Sequence, residues 1–89
     1  MAYILSDDSI ELIKEIQKDA KEPLKITNKN ELLEFAMGVG FIMMGIDVLK
    51  KQNKLSVEDE VKLARLTSLM DELKAHKDDI DYEDLNKRL

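Results

Sequence analysis

The most obvious candidates for chemistry are five carboxylates near the end of the sequence: Asp78, Asp79, Asp81, Glu83 and Asp84. Asp79, Asp81 and Glu83 alternate in the way that ligands of a calcium-binding loop alternate. The segment has neither the turn glycine nor the distal bidentate glutamate of an EF-hand. The segment is therefore best explained as a solvated stretch rich in helix-capping residues. The functional alternative is an acidic surface that binds a basic protein partner.

The remaining polar residues predict no catalytic, metal or cofactor site. His76 is the only histidine and the sequence has no cysteine, so a transition-metal site lacks ligands. The four serines, Ser6, Ser9, Ser56 and Ser68, have capping or helix-surface explanations. Gly38 and Gly40 form a GxG pattern without the preceding strand and third glycine that a nucleotide-binding loop requires. We expect a protein that is not an enzyme.

Composition points to one small helical domain over residues 1–89. The sequence is 44% hydrophobic and 37% charged with a single proline, which suits a helical fold and argues against disorder. A net charge of −5 makes nucleic acid an unlikely partner. No signal peptide is visible, and the run from Phe35 to Ile46 is shorter than the ~18 residues that cross a bilayer. We therefore predict no membrane association and a cytoplasmic location, with which the absence of cysteine is compatible.

Helix boundaries follow from capping residues and from Pro23. Ser6, Asn28, Ser56 and Asp81 are each placed to cap a helix, and Pro23 interrupts the chain after the first one. The predicted helices are 7–20, about 29–53, 57–76 and a short C-terminal one. The fold class is all-α, with the first and third helices packed across a central apolar second helix. Tyr3 to Leu5 forms either a short strand or a segment packed over the first helix.

The middle of the second helix, FAMGVGFIMMG, is apolar on every side and contains all three glycines. A helix of this kind must be covered all round. Each interior glycine costs about 0.5–1 kcal/mol relative to alanine, so close packing of another helix or a break near Gly38–Gly45 is expected. Met37, Met43, Met44 and Met70 fill either the core or an adaptable interface.

Two apolar stripes run along the third helix. Leu63, Leu66, Leu69, Met70 and Leu73 share one face, and Val57, Val61, Ala64 and Ala75 lie roughly opposite. One stripe suits the core, and the other suits a partner. We predict a homodimer, with an interface formed by Ala36, Met37, Gly40, Phe41, Met44, Val57, Val61 and Ala64.

The segment from Thr27 to Gly45 resembles the core pattern of small bacterial proteins encoded with DNA phosphorothioation (Dnd) systems. The matching residues are Lys29, Leu32, Leu33, Phe35, Ala36, Gly40 and Phe41. The layout of Tyr3 to Leu5 and an acidic-capped helix also resembles a ribbon-helix-helix protein. The resemblance implies a compact helical accessory protein of a DNA modification or defence system.

Three functions follow as hypotheses. The first is a self-associating interaction or regulatory protein. The second is an acidic, phage-type inhibitor that presents Asp7, Asp8, Glu11 and residues 78–84 to a basic partner in the manner of DNA. The third is a weak DNA-binding regulator that uses two lysine patches, Lys21, Lys25 and Lys29 with Lys50, Lys51 and Lys54. AYIL lacks the polar and basic base-reading residues of a ribbon-helix-helix strand.

Overall fold

Four helices account for most of the chain in the computed structural model, which describes residues 2–18, 22 and 25–89. They are α1 (Asp7–Lys18), α2 (Lys29–Lys51), α3 (Val57–His76) and α4 (Tyr82–Arg88). The predicted all-α fold, with three main helices and a short C-terminal one, is confirmed. The expected end of the first helix at Ala20 and the break at Pro23 lie outside the described residues.

The predicted capping residues set the observed helix starts. The side chains of Ser6, Asn28, Ser56 and Asp81 accept backbone N–H bonds from Ser9, Glu31, Asp59 and Asp84, over 2.9 to 3.3 Å. α2 ends at Lys51, slightly before the predicted Asn53, which adopts a left-handed φ of 55°. Asparagine tolerates that conformation better than most residues. It therefore turns the chain from α2 into α3.

Tyr3 to Leu5 packs as an extended segment and does not form a strand. Tyr3 makes one isolated parallel bridge with Ile80, in which the Asp81 N–H donates to the Tyr3 carbonyl over 2.8 Å. The Leu5 side chain is buried in the core. The segment before α1 is thereby attached to the turn between α3 and α4.

The core draws buried side chains from all four helices and from the segments between them. α3 has the principal helix–helix contacts, one with α1 and one with α2, and it buries Leu66, Leu69 and Leu73. The sequence predicts instead that the first and third helices pack across the second. The difference arises because α3 packs against both α1 and α2, whereas the described chain covers only one face of α2.

α2 is a single uninterrupted helix, so the alternative of a break near Gly38–Gly45 is wrong. Its buried residues, Leu32, Phe35, Val39 and Ile46, form one face against the core. A Cβ placed on any of the three glycines would meet nothing within 4 Å beyond its own helix and nearest chain neighbours. Close packing within the described chain therefore does not explain the glycines.

Candidate functional site

A line of exposed apolar side chains follows the outer face of α2. We call Leu33, Met37, Phe41, Met44 and Val48 the α2 stripe; their side chains are 47 to 68% exposed. With about 100° of rotation per residue, they fall within about 80° of arc, and that arc lies about 180° from the buried face. α2 thus has two opposite apolar faces, of which the described part of the chain covers one.

Most residues of the predicted interface are accessible. Met37, Phe41 and Met44 belong to the α2 stripe, and Ala36 and Gly40 beside it are half-buried. Val57, Val61 and Ala64 are exposed on the side of α3 away from its buried leucines. The sequence reasoning missed Leu33 and Val48, although Leu33 stands four residues before Met37 and Val48 four residues after Met44. Met43 and Met70 pack against the core instead.

α2 is also long and apolar enough, by length and composition, to be a candidate membrane span. An 18-residue window of it has a mean hydropathy of 1.9, and 22% of that window is buried. A single helix of this kind is weak evidence, because core helices of water-soluble proteins meet the same test. The uncharged run alone, from Phe35 to Ile46, underestimates the apolar length of the helix.

The five carboxylates of the predicted acidic surface are all engaged by neighbouring groups. Lys29 Nζ lies 2.6 Å from Asp78, His76 Nδ1 lies 3.6 Å from Asp79, and Asp81 caps α4. Glu83 and Asp84 pair with Lys87 and Arg88 one turn later in α4. The charge that this surface presents to a partner is therefore partly neutralised. Within the described residues, no cluster of acidic or histidine side chains could hold a metal ion.

The Lys29–Asp78 ion pair shifts the pKa of both partners. The hydrogen bond and the charge of Asp78 raise the pKa of Lys29, and the same bond lowers the pKa of Asp78. Both side chains are exposed, so solvent screens the attraction and the pair adds little to stability.

The most developed polar arrangement, which we call the Glu72 cluster, joins Tyr3, Ser6 and Ser9 to Glu72. Tyr3 Oη donates to Glu72 Oε1 over 2.8 Å, and the Ser6 N–H donates to the same oxygen over 2.8 Å. The hydroxyls of Ser6 and Ser9 donate to Oε2, the former over 2.9 Å. Burial raises the pKa of Glu72, but these four hydrogen bonds outweigh it, and the net shift is downward.

The Glu72 cluster is structural in character. Each oxygen of the carboxylate accepts two hydrogen bonds, from Tyr3, Ser6 and Ser9, so its acceptor positions serve contacts that hold the fold together. Ser9 is buried, which corrects the helix-surface explanation given by the sequence. The His76 ring stacks on Tyr3, with ring centroids 3.5 Å apart and an angle of 2° between the rings. His76 is thus held by an aromatic ring and Asp79 rather than placed beside a nucleophile.

An open groove beside α1 is lined by Lys14, Lys18, Lys25, Asn86 and Leu89. Comparisons with models of protein families, with curated proteins and with solved structures find no match for this chain. The resemblance to Dnd-associated proteins stays a prediction.

Proposed function

We propose that the protein is a non-enzymatic interaction protein that self-associates through the α2 stripe. The observation that supports this most directly is the stripe itself: five large apolar side chains in line, 47 to 68% exposed, on the face opposite the core. Contiguous exposed apolar surface of this kind marks interaction sites in water-soluble proteins. Single exposed apolar residues would need no such explanation.

A second copy of the chain suits the stripe better than a polar partner does. The stripe contains no charged residue between Met37 and Met44, so it offers no ion pair by which to select a charged surface. Two of the charged residues beside it, Lys29 and Asp47, are already paired within the chain, with Asp78 and Lys51, and the third, Glu34, forms no ion pair with a described residue. A mainly apolar helix face of this kind suits another apolar helix face of the same length.

The glycines support the same proposal. Gly40 lies beside the stripe, half-buried, and no other part of the described chain approaches it. A glycine there costs helix stability, and the close approach of a second helix would offset that cost. The exposed Val57, Val61 and Ala64 lie on α3, which packs against the opposite side of α2, so they are not part of this proposed interface.

Sedimentation velocity over a range of micromolar concentrations tests the proposal. We expect the unsubstituted protein to sediment as a dimer. We expect Phe41→Glu to raise the dissociation constant of that dimer at least tenfold. Ile4→Glu is the matched control, since Ile4 is 56% exposed, lies outside the stripe and receives the same charge. A strict monomer, or equal dissociation by both substitutions, would overturn the proposal.

The apolar length of α2 supports a second candidate, association with a lipid bilayer. The window that qualifies it contains Glu34 and Asp47, and its buried face would have to leave α3 before α2 could span. Flotation with neutral and anionic vesicles tests this candidate. Binding that Phe41→Glu abolishes in a protein that never dimerises would favour the bilayer over a second copy.

The acidic-inhibitor hypothesis and the DNA-binding hypothesis have less support from the described residues. Internal partners neutralise part of the acidic surface, and Lys29 and Lys51 are paired. A role as an accessory of a DNA modification or defence system stays a prediction that rests on the resemblance alone.

A further inference from the structure

Four members of the α2 stripe are symmetric about the midpoint between residues 40 and 41, and the fifth, Phe41, is related to Gly40. Its members occupy positions 33, 37, 41, 44 and 48, with Gly40 beside Phe41. Positions whose numbers add to 81 are related: Leu33 with Val48, Met37 with Met44, and Gly40 with Phe41. An apolar pattern that is symmetric about the midpoint of a straight helix fits a two-fold axis through that midpoint.

We propose that two copies of α2 pack antiparallel about a two-fold axis between residues 40 and 41. This deepens the proposed self-association and rests on it. In this register Leu33 is level with Val48 of the second copy, and Met37 is level with Met44. The interface is isologous, so that each copy contributes the same face.

Side-chain size supports the antiparallel register. Phe41, the bulkiest member of the stripe, is level with Gly40 of the second copy, where the absence of a side chain lets the ring and the helix backbone approach. The Met37–Met44 layers on either side contain flexible thioethers that adapt to the remaining gaps. A parallel pair would instead place Phe41 against Phe41 and Gly40 against Gly40, so that no side chain would fill the space between the two glycines.

Charge also favours the antiparallel register. Lys51, which lies about 40° from the centre of the stripe, becomes level with the neutral Asn30 of the second copy, whereas a parallel pair places Lys51 level with itself. The two helix dipoles oppose each other in the antiparallel arrangement, and each carbonyl end lies near the amide end of the other helix. Lys29 then approaches the carbonyl end of the second α2, where a cation is favourable.

Engineered cysteines test the register, because the sequence has no cysteine of its own. A disulfide requires Cβ atoms about 3.5–4.5 Å apart. Two Leu33 positions lie about 22 Å apart along the helix axis in the antiparallel pair, at a rise of about 1.5 Å per residue. Under mild oxidation we therefore expect Leu33→Cys alone to stay uncrosslinked and a mixture of Leu33→Cys with Val48→Cys to form a disulfide-linked dimer.

Phe41→Cys is the companion variant, since position 41 lies beside the axis and should crosslink to itself. Sedimentation of each reduced variant shows whether it still dimerises. If Phe41→Cys no longer dimerises, the mixture of Leu33→Cys with Val48→Cys tests the register by itself. Crosslinking by Leu33→Cys alone indicates a parallel pair and overturns the register. A dimer that none of these cysteines crosslinks uses another face: the register is then wrong and self-association stands. A monomer overturns both.

Discussion

Glu72 ties the segment before α1, and the first turn of α1, to the C-terminal part of α3. Its carboxylate accepts four hydrogen bonds from residues that lie 63 to 69 positions earlier in the sequence. A partly buried carboxylate with this many donors is stabilised in its charged form. The bonds therefore act on folding as well as on the ionisation of the residue.

We expect Glu72→Gln to lower the free energy of unfolding by about 1–2 kcal/mol, because an amide cannot accept all four bonds and leaves donors unpaired. Urea denaturation followed by circular dichroism measures the loss. Asp71→Asn is the control, since Asp71 is exposed, stands next to Glu72 and loses the same charge. Equal losses in the two variants would contradict the role of the cluster.

The same substitution should change the dependence of stability on pH. The pKa of Glu72 is lower in the folded chain than its ordinary value of 4.5. Its stabilisation is thus complete above pH 4.5 and is lost as the pH falls through the lowered folded pKa. Between pH 7 and strongly acidic pH, the unsubstituted chain should lose more stability than Glu72→Gln does.

The two tyrosines allow a comparison of two hydroxyl groups, one with a hydrogen-bond partner and one without. The Tyr3 hydroxyl donates to Glu72, whereas the buried Tyr82 hydroxyl has no hydrogen-bond partner in the described chain. We expect Tyr3→Phe to lower the urea midpoint and Tyr82→Phe to leave it unchanged or raise it. Urea midpoints measure both, and a larger loss at Tyr82 would contradict this account.

The sequence contains one signal for this cluster. Ser9 stands four residues before Ile13, on the apolar face of α1, and a hydroxyl on a buried face requires a partner. The identity of that partner could not be predicted. Glu72 lies far along the chain, and only the packing of α1 on α3 brings the two together.

At the scale of the helices, capping residues in the sequence predicted where the helices start, because a cap acts only on neighbouring residues. Asn28 and Ser56 set the starts of α2 and α3 because a cap bonds to the amide three residues on. The covered face of α2 could not be predicted in this way. Leu33 and Leu32 are chemically identical, and only the position of α3 leaves one exposed and buries the other.

Substitutions of the α2 glycines test the stability of the helix and the self-association of the chain separately. Gly38→Ala should stabilise the chain by about 0.5–1 kcal/mol, because nothing obstructs the new methyl group and alanine is the better helix former. Gly40→Leu should be tolerated by the isolated chain but weaken self-association at least tenfold. Chemical denaturation at low concentration and sedimentation measure these two effects.

Gly38→Leu is the matched control for association, since position 38 lies about 100° from the centre of the stripe. It should leave the sedimentation behaviour unchanged. Unchanged assembly in Gly40→Leu as well would mean that no second helix lies over Gly40. The stripe would then have to bind its partner away from the helix midpoint.

At the scale of the whole molecule, the segment before α1 is attached at both ends. Tyr3 bonds to the turn after α3, and Arg88 at the end of α4 donates to the Leu5 carbonyl over 2.7 Å and pairs with Asp7. Leu5 and Leu85 are both buried in the common core. α4 is too short to be stable alone, so these contacts decide whether it stays folded.

We therefore expect Arg88→Ala to lower the free energy of unfolding by about 1–2 kcal/mol, since it leaves the Leu5 carbonyl without its charged donor. Lys87→Ala should cost less than about 0.5 kcal/mol, because Lys87 makes only an exposed pair with Glu83. The two substitutions remove equal charge from the same helical turn, so the helix dipole affects both alike. Hydrogen exchange should show faster exchange in α4 and at Leu5 in Arg88→Ala alone. Uniform acceleration along all four helices would mean that α4 unfolds only with the rest of the chain.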